Sequence, residues 1–419
     1  MEMKINLYII FLICLGMASG HAQQISVGLN GQYKSIKQAV EKANAGDTII
    51  INPGIYHENN IIIQKPLTII GKDYPIIDAG GVGEIFTLAA KNITLKGLFL
   101  KNSGMSSVDD LAGIKCLDAH QVRIVDNKFD DTFFAIHLSN TNGALIRGNR
   151  LKASAAHEYQ LGNGIHLWKC KNARIIDNEI KGHRDGIYFE FVTNSTIKQN
   201  LSDGNMRYGL HFMFSHENEY IDNTFRNNGA GVAVMYSHSM KMHRNNFEDN
   251  WGTSSYGLLL KDMRDCEISG NKFKKNTIGI YMEGTSRTQF HNNIFRENGW
   301  AIKLMASCDD NVFLKNNFIA NTFDISTNGK LVLNTIDGNY WDKYQGYDLN
   351  KDGIGDIPFH PVNMFSFIVE RVPAAMLIWR SFLVQMLDKA EKVIPAITPE
   401  NLKDNYPTMK PYDLDRKNK

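Results

Sequence analysis

An asparagine followed two residues later by an apolar side chain returns at a nearly constant interval along this chain, and no other feature constrains its fold as tightly. The positions are Asn127, Asn149, Asn178, Asn200, Asn223, Asn245, Asn271, Asn293, Asn316 and Asn339. Asn200 fits loosely, since its apolar partner Leu201 comes one residue early. Successive spacings are 22, 29, 22, 23, 22, 26, 22, 23 and 23 residues. The two long spacings mark insertions around 157–162 and 252–255. Each copy also opens with a small residue and alternating apolar positions, as in Gly164-Ile165-His166-Leu167 and Gly209-Leu210-His211-Phe212. Strict alternation is a strand signal. A second strand precedes each asparagine, with its inward residue three positions earlier, from Ile124 and Ile146 through Tyr220 and Met242 to Ile336.

Two or three short strands in one such period leave no room for a helix. They make one coil of a solenoid, in which each strand pairs with its copy about 4.8 Å away. The expected fold class is all-β, a right-handed single-stranded parallel β-helix. At a turn, the asparagine side chain can bond the amide of the next copy and tolerates a left-handed backbone. The open ends need covers. At the N-terminus a short helix over 35–45, with Ile36, Val40 and Ala43 on one side, precedes strands at 47–51, 61–63 and 67–70. The last coil ends near Tyr344. Beyond Gly346 the composition changes, and Pro373 opens a helix over 373–393. Met376, Trp379, Leu383, Leu387 and Ala390 form its apolar stripe. Its longest uncharged run, 372–379, is too short to span a membrane, so the stripe packs on the barrel wall or docks on a membrane partner. Residues 395–419, rich in proline and charge, read as extended.

The chain thus divides into an export signal (1–22), a β-helix (23–345) and a C-terminal extension (346–419). Lys4, the uncharged stretch 5–20 and Gly20-His21-Ala22 make a secretory segment cleaved after Ala22. Cys116, Cys170, Cys266 and Cys308 remain, with no CxxC pair, and read as small buried hydrophobes. A formal charge of +2, without a basic cluster interleaved with aromatics, argues against nucleic acid.

In each opening strand the residue after the first inward position should face solvent, and so should the one two further on. These outward positions hold His137, His166, Trp168, Tyr188, His211, Met213, Met235 and Met305, where a solvated face would be Lys, Thr and Ser. Met213 and Met235 occupy equivalent places on neighbouring coils, about 5 Å apart, and His216 and His238 do so three residues later. Thioether with imidazole suits cuprous copper, so these four are the candidate copper ligands. A protein-docking face is the alternative. Asp348, Asn350, Asp352, Gly353 and Asp356 match the first part of a calcium loop, with Phe359 where the closing glutamate belongs; a metal-free turn is the alternative. Enzymatic work on polysaccharides would need paired carboxylates. Arg184, Asp185 and Glu190 are near in sequence, but Glu283 lies four coils from Glu190, about 19 Å away.

Several strings resemble the NosD family: Gly182-His183-Arg184-Asp185-Gly186-Ile187-Tyr188-Phe189-Glu190-Phe191, Arg207-Tyr208-Gly209-Leu210-His211-Phe212-Met213, Ala230-Gly231-Val232-Ala233-Val234-Met235-Tyr236, and Asn339-Tyr340-Trp341-Asp342 running into Gly346-Tyr347-Asp348. The resemblance covers nearly the whole mature chain. It implies a periplasmic accessory protein for maturation of nitrous oxide reductase. Its implied partners are an ABC transporter of permease and ATPase subunits, a copper chaperone lipoprotein and the reductase itself, whose copper–sulfide cluster is assembled. It implies transient copper, no catalytic residues, and a C-terminal helix carrying Met376, Trp379 and Leu383 that seats on the permease. The wider class of carbohydrate-binding and carbohydrate-cleaving β-helices is the alternative.

Overall fold

The computed structural model describes residues 22–154, 157–329, 333–393 and 402–414. Apart from Ala22, the expected export segment lies outside the described residues. The chain winds as a right-handed parallel β-helix of about 14 turns. Among the described residues its three sheets hold 14, 12 and 13 strands, each hydrogen-bonded to the corresponding strand of the next coil. The 12-stranded sheet contains the opening strands, such as Ile165–Trp168, Tyr208–Met213 and Ala230–Met235. Its outer face carries the site described below.

The period works because each coil buries one apolar row per sheet. The inward residues expected before each asparagine, among them Ile124, Ile146, Tyr220, Met242, Phe313 and Ile336, are all buried. A second column, Phe225, Phe247, Phe273, Phe295, Phe318 and Trp341, stacks ring on ring at 4.1–5.6 Å between centroids. The four cysteines are buried and free. Burial pushes the Cys170, Cys266 and Cys308 thiols up to about 11, so they act as hydrophobes.

The asparagine ladder forms as expected. From Asn149 onward, the Oδ1 of each asparagine accepts from the backbone N and Nδ2 of the asparagine one coil earlier, as Asn149 does from Asn127 at 3.0 and 3.2 Å. Its own Nδ2 donates to a carbonyl of that earlier coil, here Ile124 at 2.9 Å. Asn200, the loose match, is a full rung. A second ladder was not anticipated. Asn205, Asn228, Asn250, Asn276, Asn298 and Asn321 repeat the bonding at another corner. His183 begins this ladder, its backbone N donating to Asn205 Oδ1 at 3.1 Å.

Helix α1 (Ile36–Lys42) covers the N-terminal end, capped by the Ser35 side chain, with Ile36, Ala39 and Val40 buried. At the other end the expected single helix is not continuous. Helix α2 (Met364–Arg371) starts at Asn363, whose side chain accepts from Ser366 N at 2.7 Å. A 3₁₀ turn (Pro373–Ile378) follows, and α3 (Phe382–Val393) comes after a break. Arg380 adopts a left-handed φ of 68°, which ends one helical turn and rotates the phase of the next. The buried side therefore comprises Phe365, Val369 and Val384, with Met376, Trp379 and Leu387 packed beside them against Phe323 and Trp300 of the barrel. Met376 and Trp379 thus face their own chain, whereas Leu383 is 64% exposed. Among the described residues no helix is long and apolar enough to cross a membrane.

The tail, expected to be extended, closes the barrel. Asp404 takes the place of the next asparagine. Its carboxylate accepts from the backbone N of Gly338 and Asn339 (both 2.9 Å), from Asn339 Nδ2 (3.3 Å), from Trp341 Nε1 (2.9 Å) and from Tyr406 N (3.0 Å). Tyr412 and Asn317 bond each other twice.

Candidate functional site

The outer face of the 12-stranded sheet is an array of columns in which each residue lies above its counterpart one coil away. One column runs Lys115, His137, His166, Tyr188, His211, Ala233, Leu259, Tyr281 and Lys303. The next runs Ser139, Trp168, Glu190, Met213, Met235, Lys261 and Glu283. Met213 and Met235 are therefore direct register partners, both partly exposed.

Beside the methionines the chain turns through left-handed residues. In some coils these suit that backbone, as Asp118, Asn140, Asp262 and Gly284 do. In three successive coils they are Phe191, Phe214 and Tyr236, with φ of 55°, 48° and 52°. A bulky side chain there is strained. Their rings stack at 5.4 and 5.1 Å and remain exposed. Sequence reading passed over them, although their alignment one period apart was available. Beyond this ridge His216 and His238 stack at 4.0 Å, planes 9° apart. They line a cavity of about 370 Å³ with Tyr236, Asp262 and Arg264. His216 Nδ1 is buried without a hydrogen bond, and burial, then the neighbouring His238, lowers the His216 pKa. The ring is thus biased toward the neutral form that ligates metals. The four candidate copper ligands therefore flank one aromatic ridge, methionines on one side and histidines on the other.

The ring column toward the N-terminus is less open than expected. His137 and His211 are buried, and His166 and Tyr188 half-buried. Their rings follow one another at 4.7, 4.7 and 5.1 Å. Phe134 packs edge-on against His137 and His166, and Asp110 and Asp185 approach His137 and His211 at 3.5 and 3.6 Å. Burial depresses His137 to about 4 and His166 to about 3, and raises Tyr188 to about 12. Trp168 is at the margin of exposure, its ring covered by the Lys169 ammonium at 4.3 Å. Met305 does not continue the methionine column. The strand ends at Leu304, and Met305, just beyond it, is buried.

In the 348–356 loop the oxygens serve the backbone. Asp348 accepts from the N–H of Asp352 and Gly353, Asp352 from that of Ile354, and Asp356 from that of Leu349. Asn350 bonds Asp352. Among the described residues no three His, Cys, Asp or Glu side chains converge as a ready metal site. A set of two methionines and two histidines falls outside that description. Arg184 and Asp185 pair with Glu158 and Arg207 respectively, not with Glu190.

Residues 148–346 match the family described as "Periplasmic copper-binding protein (NosD)". Two relatives, from Stutzerimonas stutzeri and Pseudomonas aeruginosa, are each named "Probable ABC transporter binding protein NosD". The first is 26% identical over 85% of this chain and 86% of its own length. The second is 26% identical over 84% and 86%. Among solved structures, the A-modules of the Azotobacter vinelandii mannuronan C-5 epimerases AlgE6 and AlgE4 superpose with TM-scores of 0.59 and 0.58, each at 14% identity. They cover 74% and 72% of this chain and 93% of each module. At that identity the likeness is one of fold alone.

Proposed function

We propose, from the premise that this chain belongs to the NosD family, that it is a periplasmic accessory protein for maturation of nitrous oxide reductase. In this reading it works with an ABC transporter and a copper chaperone to assemble the copper–sulfide cluster, and has no catalytic activity of its own. The observation that carries the proposal is the ridge of Phe191, Phe214 and Tyr236 between Met213/Met235 and His216/His238. Soft thioether sulfur and neutral imidazole are the donors cuprous ions prefer, and an exposed apolar ridge beside them offers a docking edge for the protein that hands the ion over. A two-coordinate ion passing through such a site needs no closed cage. The exposed side of the C-terminal helices is the seat for the permease, and a calcium ion held by Asp348, Asn350, Asp352 and Asp356 would stiffen the loop before them.

Cuprous titration of the mature protein under a competing chelator tests the site. Met213→Ala combined with Met235→Ala should weaken binding at least tenfold, which corresponds to about 1.4 kcal/mol. Unchanged affinity would remove copper from this face. The wider role is tested by a deletion strain, in which the reductase should be exported yet lack its catalytic copper cluster; a fully loaded reductase would refute it.

A further inference from the structure

Away from the methionines, a cavity of about 580 Å³ opens beside the N-terminal part of the ring column. Its size is that of a small-molecule site. Two kinds of side chain dominate its wall. Phe133, Phe134 and Tyr159 supply rings, and Asp109, Asp110 and Glu158 supply carboxylates. Among the described residues one cation joins them, and it is already taken: Arg184 Nε lies 3.2 Å from Glu158. Arg207, which lies outside the cavity, approaches the same Glu158 oxygen at 3.7 Å.

The other two carboxylates are not neutralised. The backbone N–H of Asp109 donates to Ser106 Oγ at 2.9 Å, but its carboxylate pairs with no cation among the described residues. Asp110 has His137 Nε2 at 3.5 Å. Burial depresses that histidine to about 4, so near neutral pH it brings no charge to the pair. The cavity thus carries an excess of negative charge beside aromatic walls. Phe133 and Phe134 meet edge to face at 5.1 Å, and Tyr159 is 73% exposed. An anion is repelled by such a lining. A bare metal ion is not served by it either, because among the described residues no three His, Cys, Asp or Glu side chains converge on one point. Spread carboxylates beside aromatic rings suit a bulkier cation, one whose charge is carried on an apolar body.

We infer that this cavity binds a small organic ammonium ion, its charge set against Asp109 and Asp110 and its apolar body lying among Phe133, Phe134 and Tyr159. Arg184, held by Glu158, places one opposing charge in the wall and so limits the affinity. No candidate copper ligand lines the cavity, and the copper reading therefore stands or falls separately.

Calorimetry on the mature chain near neutral pH tests this assignment, with 2-phenylethylammonium and benzyltrimethylammonium as probes. The neutral control is 2-phenylethanol and the anionic control is 3-phenylpropionate. Both cations should bind, and neither control should. Asp109→Asn with Asp110→Asn keeps two exposed positions polar and should weaken cation binding at least roughly tenfold. Tyr159→Ala should weaken it as well. Arg184→Gln removes the opposing charge and should tighten cation binding by roughly threefold or more, a gain that a damaged fold does not produce. Absence of cation binding, equal binding of the alcohol, or unchanged affinity in the double asparagine variant would overturn the assignment.

Discussion

Asn271 shows what one rung of the ladder carries. Its Oδ1 accepts from Asn245 N and Nδ2 at 2.9 and 3.0 Å, and its Nδ2 donates to Met242 O and Asn293 Oδ1 at 2.8 and 3.1 Å. Asn271→Ala leaves these buried partners unmated, and a loss of about 3 kcal/mol is expected from urea unfolding. Aspartate would fail at the same position, because it cannot donate to the two acceptors. It serves at Asp404, where every neighbouring group is a donor and no further coil follows. His183 is the opposite case. It stands where the second ladder begins, fully buried, with neither ring nitrogen in a well-formed hydrogen bond. Burial holds its pKa down to about 4, below the usual 6.5. The unfolded chain therefore binds the proton more readily, so this contribution is complete above about pH 6.5 and is lost as pH falls toward 4. His183→Asn would extend the ladder by one rung. Unfolding measured at pH 5 and pH 7.5 should show a smaller acid loss in this variant than in the parent, with His137 and His166 supplying the remainder. An identical pH dependence would remove His183 from the account.

At the scale of elements, the C-terminal extension is two devices. The helical part is bolted to the barrel by Phe323, Trp379 and Phe365, whose rings meet at 5.1 and 5.5 Å, and by Glu370 with Lys303 at 3.0 Å. The tail is a stopper whose central group is Asp404. Deleting 402–414 leaves the amides of Gly338 and Asn339 without their acceptor. Because each coil touches only its neighbours, the damage should stay local. Amide exchange should accelerate in the last coil while the amides of Asn245 and Asn271 keep their protection; uniform acceleration would show that the tail stabilises the whole barrel. The left-handed Arg380 divides α3 from the preceding turn, and Arg380→Gly should preserve the break while relieving up to about 1 kcal/mol of strain.

Over the whole molecule, one face of one sheet is partitioned along its length. The first part carries the ring column of His137, His166 and Tyr188, the middle carries the methionines with the aromatic ridge and histidines at their edge, and the last part is covered by the chain's own helices. Those helices turn a second apolar surface outward: Leu377 is 89%, Phe382 76% and Leu383 64% exposed. Phe382→Asp with Leu383→Asp should leave the melting temperature within about 2 °C, as surface changes do, yet abolish co-purification with the permease. Val384→Asp, on the buried side, should loosen the helices instead. Retained co-purification in the double variant would place the permease contact elsewhere.

Much of this was legible because a solenoid is close to one-dimensional. Residues one period apart must be neighbours, so spacing alone determined the coil, the first asparagine ladder, and the pairing of Met213 with Met235 and of His216 with His238. The second ladder was equally available, since Asn205, Asn228, Asn250, Asn276, Asn298 and Asn321 each follow a counted asparagine by five residues. What only the tertiary structure decided involves contacts that ignore the period. Asp404 reaches back 65 residues to Asn339, and Tyr412 reaches 95 to Asn317. Arg380 shifts the packed side of α3 so that Val384 replaces Leu383 beside Leu387, and Glu158 reaches from an insertion to two arginines on later coils. A repeat places each residue relative to its own copies, whereas the ends and insertions have no copy and are placed by packing alone.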